Sequence, residues 1–135
     1  MSREHSTPDL TGLHTLLVED EPNARQATRA LLETCGAHVE SVESAEAARD
    51  AYSLVRPAIL ISDIGLAGED GYTLMQQIRS LERELGGPHV PALALTAFAR
   101  DEDRRRAIEA GFDAHLAKPV DPDKLLLEIA RLTGR

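Results

Sequence analysis

From His14 onward, short apolar runs alternate with longer stretches in which apolar residues recur every three or four positions. Five runs stand out: His14-Val18, His38-Val42, Ala58-Ser62, Pro91-Thr96 and Ala114-Lys118. The first, third and fourth are almost unbroken, as expected of parallel strands covered on both faces. The stretches between them carry helix punctuation. Pro22 and Pro122 suit first-turn positions with Asp121 capping the latter, and Ser44 and Asp101 fit as further N-caps. Gly36 and Gly111 follow helical stretches, where a left-handed residue closes the last turn. Leu74, Ile78, Leu81 and Leu85 trace one buried stripe, and Leu125, Ile129 and Leu132 trace another. Ala24, Ala27 and Leu31 line up with Cys35 in the first helical stretch, which assigns that cysteine to the core. Strict alternation with short connections predicts a three-layer α/β fold, a parallel sheet with right-handed crossovers and helices on both faces. The pattern alone leaves the strand order open.

Length and charge narrow the picture. The 135 residues suffice for one domain with a real core. Residues 1–12, MSREHSTPDLTG, form a polar lead-in expected to be flexible, and residues 13–135 form the domain. A net charge of −8 argues against nonspecific binding of nucleic acid, which needs a basic field. The densest basic run, Arg104-Arg105-Arg106, fans out around a helix axis and reads as a solvated face. One cysteine excludes an internal disulfide and suits a reducing cytoplasm, and no apolar stretch approaches a membrane span.

How the runs end matters more. The first is followed by Glu19-Asp20-Glu21, the third by Asp63, and the fourth and fifth close on Thr96 and Lys118-Pro119. In a parallel sheet these ends share the carboxyl edge, where α/β proteins place their sites. Singly, each has an ordinary explanation: acids at a helix start, a turn aspartate, a strand-end threonine, a solvated lysine. Together they bring several carboxylates, a hydroxyl and an ammonium to one crevice. Clustered carboxylates are tolerable when a cation joins them, and an all-oxygen set suits hard Mg²⁺. One carboxylate could then act as a nucleophile towards phosphorus, with the lysine, hydroxyl and metal neutralising the phosphoryl oxygens.

The segments LLVEDEP, ISDIGLAGEDGY, ALTAFA and HLAKPV, in this order over about residues 13 to 133, resemble the signatures of response-regulator receiver domains. The resemblance implies a flavodoxin-like (βα)5 fold with strand order 2-1-3-4-5. It implies that Asp63 is the phosphorylated aspartate, and that Glu19 and Asp20 are the acidic pair for Mg²⁺, with the backbone carbonyl of Gly65 as another ligand. Lys118 would contact a phosphoryl oxygen. Thr96 would be the switch hydroxyl, moving inward with Ala97-Phe98-Ala99, and His115 stands where the family often carries a rotating aromatic. The implied partners are a histidine kinase or histidine phosphotransfer protein upstream and a protein target met through the α4-β5-α5 face downstream, with neither nucleic acid nor membrane involved.

The sequence departs from the family pattern at three places. Ala67 stands where a proline commonly stiffens the loop, Gly65 removes a side chain near the phosphoryl group, and His115 replaces Tyr or Phe. Two other readings fit the residues less well. A haloacid-dehalogenase-like phosphatase would want a second acid at position 65, which is glycine. A degenerate receiver that only binds proteins would lack one of Asp20, Asp63, Thr96 or Lys118, and all four are present. The chain is expected to assist its own phosphorylation and dephosphorylation without being an enzyme in the ordinary sense. The last helix leaves no room for a DNA-binding module, so output is expected through a protein contact, an onward relay or a larger parent chain.

Overall fold

A computed structural model describes residues 7–66, 68, 70–97 and 100–135. Five strands alternate with five helices: β1 His14–Val18, α1 Pro22–Thr34, β2 His38–Val42, α2 Ala45–Leu54, β3 Ile59–Asp63, α3 Gly71–Leu85, β4 Ala92–Thr96, α4 Asp101–Ala110, β5 Ala114–Ala117 and α5 Pro122–Thr133. All pairings are parallel, in the order β2-β1-β3-β4-β5. This is the flavodoxin-like arrangement that the resemblance implied, with its crevice at the carboxyl edge.

The period of two along each strand divides the core. Leu16, Val18, Leu60, Ala92 and Ala94 face α2, α3 and α4, whereas Leu17, Val39, Ile59, Ile61, Leu93 and Leu95 face α1 and α5. The central strands β3 and β4 are buried at every position, and edge strands β2 and β5 are half-open. Helix starts follow cap chemistry. Ser44, Asp70 and Asp121 accept from first-turn N–H groups of α2, α3 and α5, and Glu21 does so for α1 ahead of Pro22. Helix α4 departs from this: Asp101 is its first residue, and the cap position falls to Arg100, whose side chain accepts nothing. An acid inside the first turn still faces the favourable end of the helix dipole, which is why the sequence signal was misplaced by one residue.

Three further expectations change. Leu85 is 58% exposed because α3 runs on past the sheet, so the stripe ends at half-buried Leu81. In α1 the fully buried residue is Leu32, while Ala27 is exposed; Cys35 packs half-buried against the core, and burial pushes its thiol up. The lead-in is packed from Leu10 onward: Leu10 is fully buried and donates to Cys35 O at 2.9 Å, and Gly12 donates to Gly36 O at 3.1 Å. No helix among the described residues is long and apolar enough to cross a membrane.

At the amino edge of β4 and β5 lies a partly buried ionic knot around buried Arg79. Arg79 on α3 donates from Nε to Gly111 O (3.0 Å), from Nη1 to Val90 O (2.7 Å) and Glu82 Oε2 (2.9 Å), and from Nη2 to Asp113 Oδ2 (3.0 Å). Asp113 also accepts from Ala92 N and meets His89 Nε2, while Glu82 accepts from Val90 N.

Candidate functional site

The carboxyl edge gathers the residues singled out above. Asp63 is the last residue of β3, one place further along than the apolar run suggested, and the ladder holds it beside Leu95. Its side chain is nearly buried, at 6% residue exposure, and both oxygens are engaged: Oδ1 accepts from Gly65 N at 3.1 Å and Oδ2 from Lys118 Nζ at 3.0 Å. Glu19 follows β1 and is 2% exposed. Its backbone N donates to Val42 O and its carbonyl accepts from Arg25, so both main-chain groups are tied down. Its carboxylate takes Lys118 Nζ at 3.1 Å on Oε1 and Glu21 N at 3.2 Å on Oε2. One oxygen each from Glu19, Asp20 and Asp63 lie within 4.8 Å of one another, Asp20 being the more open of the three.

Lys118 sits just after β5, positioned through its own N–H to Thr96 O at 2.8 Å; the Lys118–Pro119 peptide is cis. Burial pulls its ammonium down, but the bonds to Asp63 and Glu19 and their charges outweigh this and raise it. Glu19 is pushed up, first by burial and then by the Asp63 charge, against the opposing bonds from Lys118 and Glu21. The pair is unequal because Lys118 draws on two carboxylates while Glu19 shares its lysine. Lys118 pairs with Glu19 and Asp63, and these two with Asp20 offer only oxygen ligands, a donor set that fits a hard divalent ion such as Mg²⁺.

Thr96 closes β4 at 5% exposure and lines a cleft of about 400 Å³ with Ile64, Gly65, Tyr72 and Arg106. An added Cβ on Gly65 would meet nothing nearer than Asp63 Oδ1 at 4.0 Å, so the glycine leaves the Asp63 side of the cleft open. His115 lies half-buried on β5 opposite Ala94, and burial followed by the Arg104 charge holds its imidazole below the ordinary value. Ala67, Phe98 and Ala99 lie outside the described residues.

Sequence reasoning missed Gly71. A Cβ there would stand 2.7 Å from Asp63 O and 2.8 Å from Ile64 Cα, and Gly71 N donates to Ile64 O at 2.8 Å. The first turn of α3 therefore rests directly on the backbone that carries Asp63, a closeness only glycine permits. A glycine at the first helical position after an N-cap aspartate was the available signal. Arg104, Arg105 and Arg106 are exposed, as a solvated face requires, and the Arg106 guanidinium carbon also stands 4.4 Å over the centroid of the Tyr72 ring.

Known proteins agree with this geometry. The chain is 39% identical over 123 residues to an uncharacterised 14.6 kDa protein of Leptolyngbya boryana, covering 91% of this chain and 88% of that one. It is 37% identical over 123 residues to response regulator Rre1 of Synechocystis sp., covering 89% of this chain and 51% of Rre1, so it spans about half of that protein. Among solved structures, the receiver domain of the Pseudomonas aeruginosa sensor histidine kinase PA1611, which has a magnesium ion coordinated in its active-site cleft, superposes with a TM-score of 0.82 at 32% identity. The match covers 93% of this chain and 100% of that domain. The family model of the response regulator receiver domain matches residues 15–130, and with the fold and the Asp63 cluster in place the chain belongs to that family of two-component signalling domains.

Proposed function

We propose that the chain accepts a phosphoryl group on Asp63 from a phosphohistidine of a histidine kinase or phosphotransfer protein and thereby changes its protein-contact surface. The observation that carries this is the buried Asp63 carboxylate, held by Lys118 and within 4.8 Å of the Glu19 and Asp20 oxygens. An Asp63 oxygen attacks phosphorus in line, the P–N bond breaks, and its electron pair leaves with the donor imidazole. Lys118 is placed to neutralise charge on the phosphoryl oxygens, and the Thr96 hydroxyl to donate to one of them. Glu19, Asp20, Asp63 and the Gly65 carbonyl would hold Mg²⁺, which supplies further neutralisation of the transferring group. The open side at Gly65 admits the water that later attacks phosphorus and frees the carboxylate.

Inward movement of Thr96 shifts a pre-existing equilibrium and is read out on the α4-β5-α5 face, with His115 rotating there as a second switch element. The test is incubation with Mg²⁺ and acetyl phosphate. A mass gain of one phosphoryl group, acid-stable and base-labile, is expected on the wild type and absent from Asp63→Asn. No adduct on the wild type, or an unchanged adduct on Asp63→Asn, overturns the reading. For His115, an imidazole resonance that does not move between free and beryllofluoride-bound protein removes it from the switch.

A further inference from the structure

Helix α1 departs from the charge pattern of other helix starts in this chain. The first turns of α2, α4 and α5 carry acids, Glu46, Asp101 to Asp103 and Asp123, which suit the positive end of a helix dipole. The first turn of α1 carries none and closes on a cation, Arg25. A guanidinium at that end opposes the dipole, and a local conflict of this kind points to a task outside the helix. Side chains on a helix lean towards its amino end, so a residue one turn in can reach back to the preceding loop. Arg25 does so: its Nη1 donates to Glu19 O at 2.9 Å, in a partly buried bond. The group it takes is a backbone oxygen, although the loop also carries the carboxylates of Glu19, Asp20 and Glu21.

Glu19 O belongs to the peptide that joins Glu19 to Asp20. That unit is planar, so holding its oxygen sets the direction in which the Asp20 backbone leaves. Glu19 itself is anchored elsewhere as well, by its N–H on Val42 O at 3.0 Å and by its carboxylate on Lys118 Nζ and Glu21 N. Asp20 is the more open of the two acids. The bond from Arg25 therefore ties α1 to the peptide plane from which Asp20 projects, beside the Asp63 oxygens.

We propose that Arg25 is a positioning residue for the metal-holding acids: by clamping the Glu19–Asp20 peptide it sets how their carboxylates meet Asp63, and hence how tightly the cluster takes a divalent cation. The inference rests on the metal reading of this cluster given above. It also fixes a sign. Arg25 is a positive charge beside the site, so if charge alone mattered its removal would tighten the binding of a cation. If the clamp matters, its removal weakens binding despite the relief of that repulsion.

The test is a Mg²⁺ titration of the intact chain followed by amide chemical shifts. Arg25→Met should raise the dissociation constant by about tenfold, the lower end for groups that hold metal ligands in place. Arg25→Lys, which keeps the charge and a long donor, should lose less. Without metal, exchange of the Glu21 amide, which donates to Glu19 Oε2, should quicken in Arg25→Met while amides of β3 and β4 keep wild-type rates. The rate of adduct formation with acetyl phosphate should fall at low Mg²⁺ and recover at saturation, as expected of a residue that acts through the metal. A dissociation constant unchanged or lowered in Arg25→Met, or equal losses in Arg25→Lys and Arg25→Met, overturns the inference. So does faster exchange in β3 and β4, which would make the loss one of general stability, or a rate that stays low at saturating Mg²⁺. A wild-type chain whose amides do not respond to Mg²⁺ overturns the metal reading itself, and this inference with it.

Discussion

At the amino edge of the sheet, Arg79, Glu82, Asp113 and His89 form a charged cluster whose bonds the protein itself supplies: backbone groups of Val90, Ala92 and Gly111 take part, and each carboxylate meets Arg79. At the carboxyl edge, Glu19, Asp20, Asp63 and Lys118 form a second cluster in which Lys118 pairs with Glu19 and Asp63, and Asp20 stands beside those two carboxylates. The same ion types are used in both. The first is complete and acts as a structural tie between α3, α4, β4 and β5. The second groups three carboxylate oxygens within 4.8 Å of one another beside a cleft, an arrangement that could hold a metal ion. A buried charge tells little by itself; whether its partners are already present separates scaffold from reagent.

The widest gap between the two edges should appear when the central cation of the amino edge is removed. Arg79→Met leaves Glu82 and Asp113 without their shared cation and strips donors from the buried Val90 carbonyl and the part-buried Gly111 carbonyl, and should cost about 2–4 kcal/mol in urea unfolding. A loss near zero would dissolve the contrast. Magnesium should act only at the other edge: at a hundredfold excess over its dissociation constant it should raise wild-type stability by about 2.7 kcal/mol and leave Asp20→Asn unmoved. Removing a carboxylate should then have opposite signs. Without metal, Asp113→Asn should cost about 1–3 kcal/mol because it breaks a satisfied network. Asp20→Asn should be neutral or stabilising by up to about 1 kcal/mol because it relieves repulsion. Equal losses from the two would show that the carboxyl edge is also a structural tie.

The smallest effect concerns the start of α3, the helix that joins the two edges. Asp70→Ala should cost about 1 kcal/mol at neutral pH through loss of the bond to Thr73 N. That bond, ahead of the weaker opposing effect of burial, holds the Asp70 carboxyl below the usual carboxylate range. A lowered carboxyl stabilises the folded state above its unfolded value and loses that contribution as the pH falls through its folded one. The difference between Asp70→Ala and the wild type should therefore shrink below about pH 4. A difference that persists at pH 2 would assign the loss to helix propensity.

Much of this was legible along the chain because it depends on local periodicity. The strands β1 and β2 lie where the apolar runs placed them, and the residue types at the run ends named Asp63, Glu19, Asp20, Thr96 and Lys118 before any geometry was available. Where the expectation slipped, a distant contact had intervened. Leu10 reads as part of a polar lead-in, but Cys35 O and Gly36 O capture the backbone around it. Leu85 has the right spacing and no surface opposite it. Arg79 and Arg106 look alike as helix cations in sequence, and only their neighbours make one the buried hub of an ion-pair network and the other the cover of an aromatic ring.

Local pattern thus settled the fold class and the inventory of chemistry, because strand and helix periods and the polarity at strand ends are properties of neighbours along the chain. The strand order that the family resemblance implied became observable only in the assembled sheet. The tertiary structure decided which charges meet. That is a matter of distance between residues as far apart as Glu19 and Lys118, whose 3.1 Å contact exists only once five strands lie side by side. A carboxylate becomes reactive through the charges around it, and those are gathered by packing.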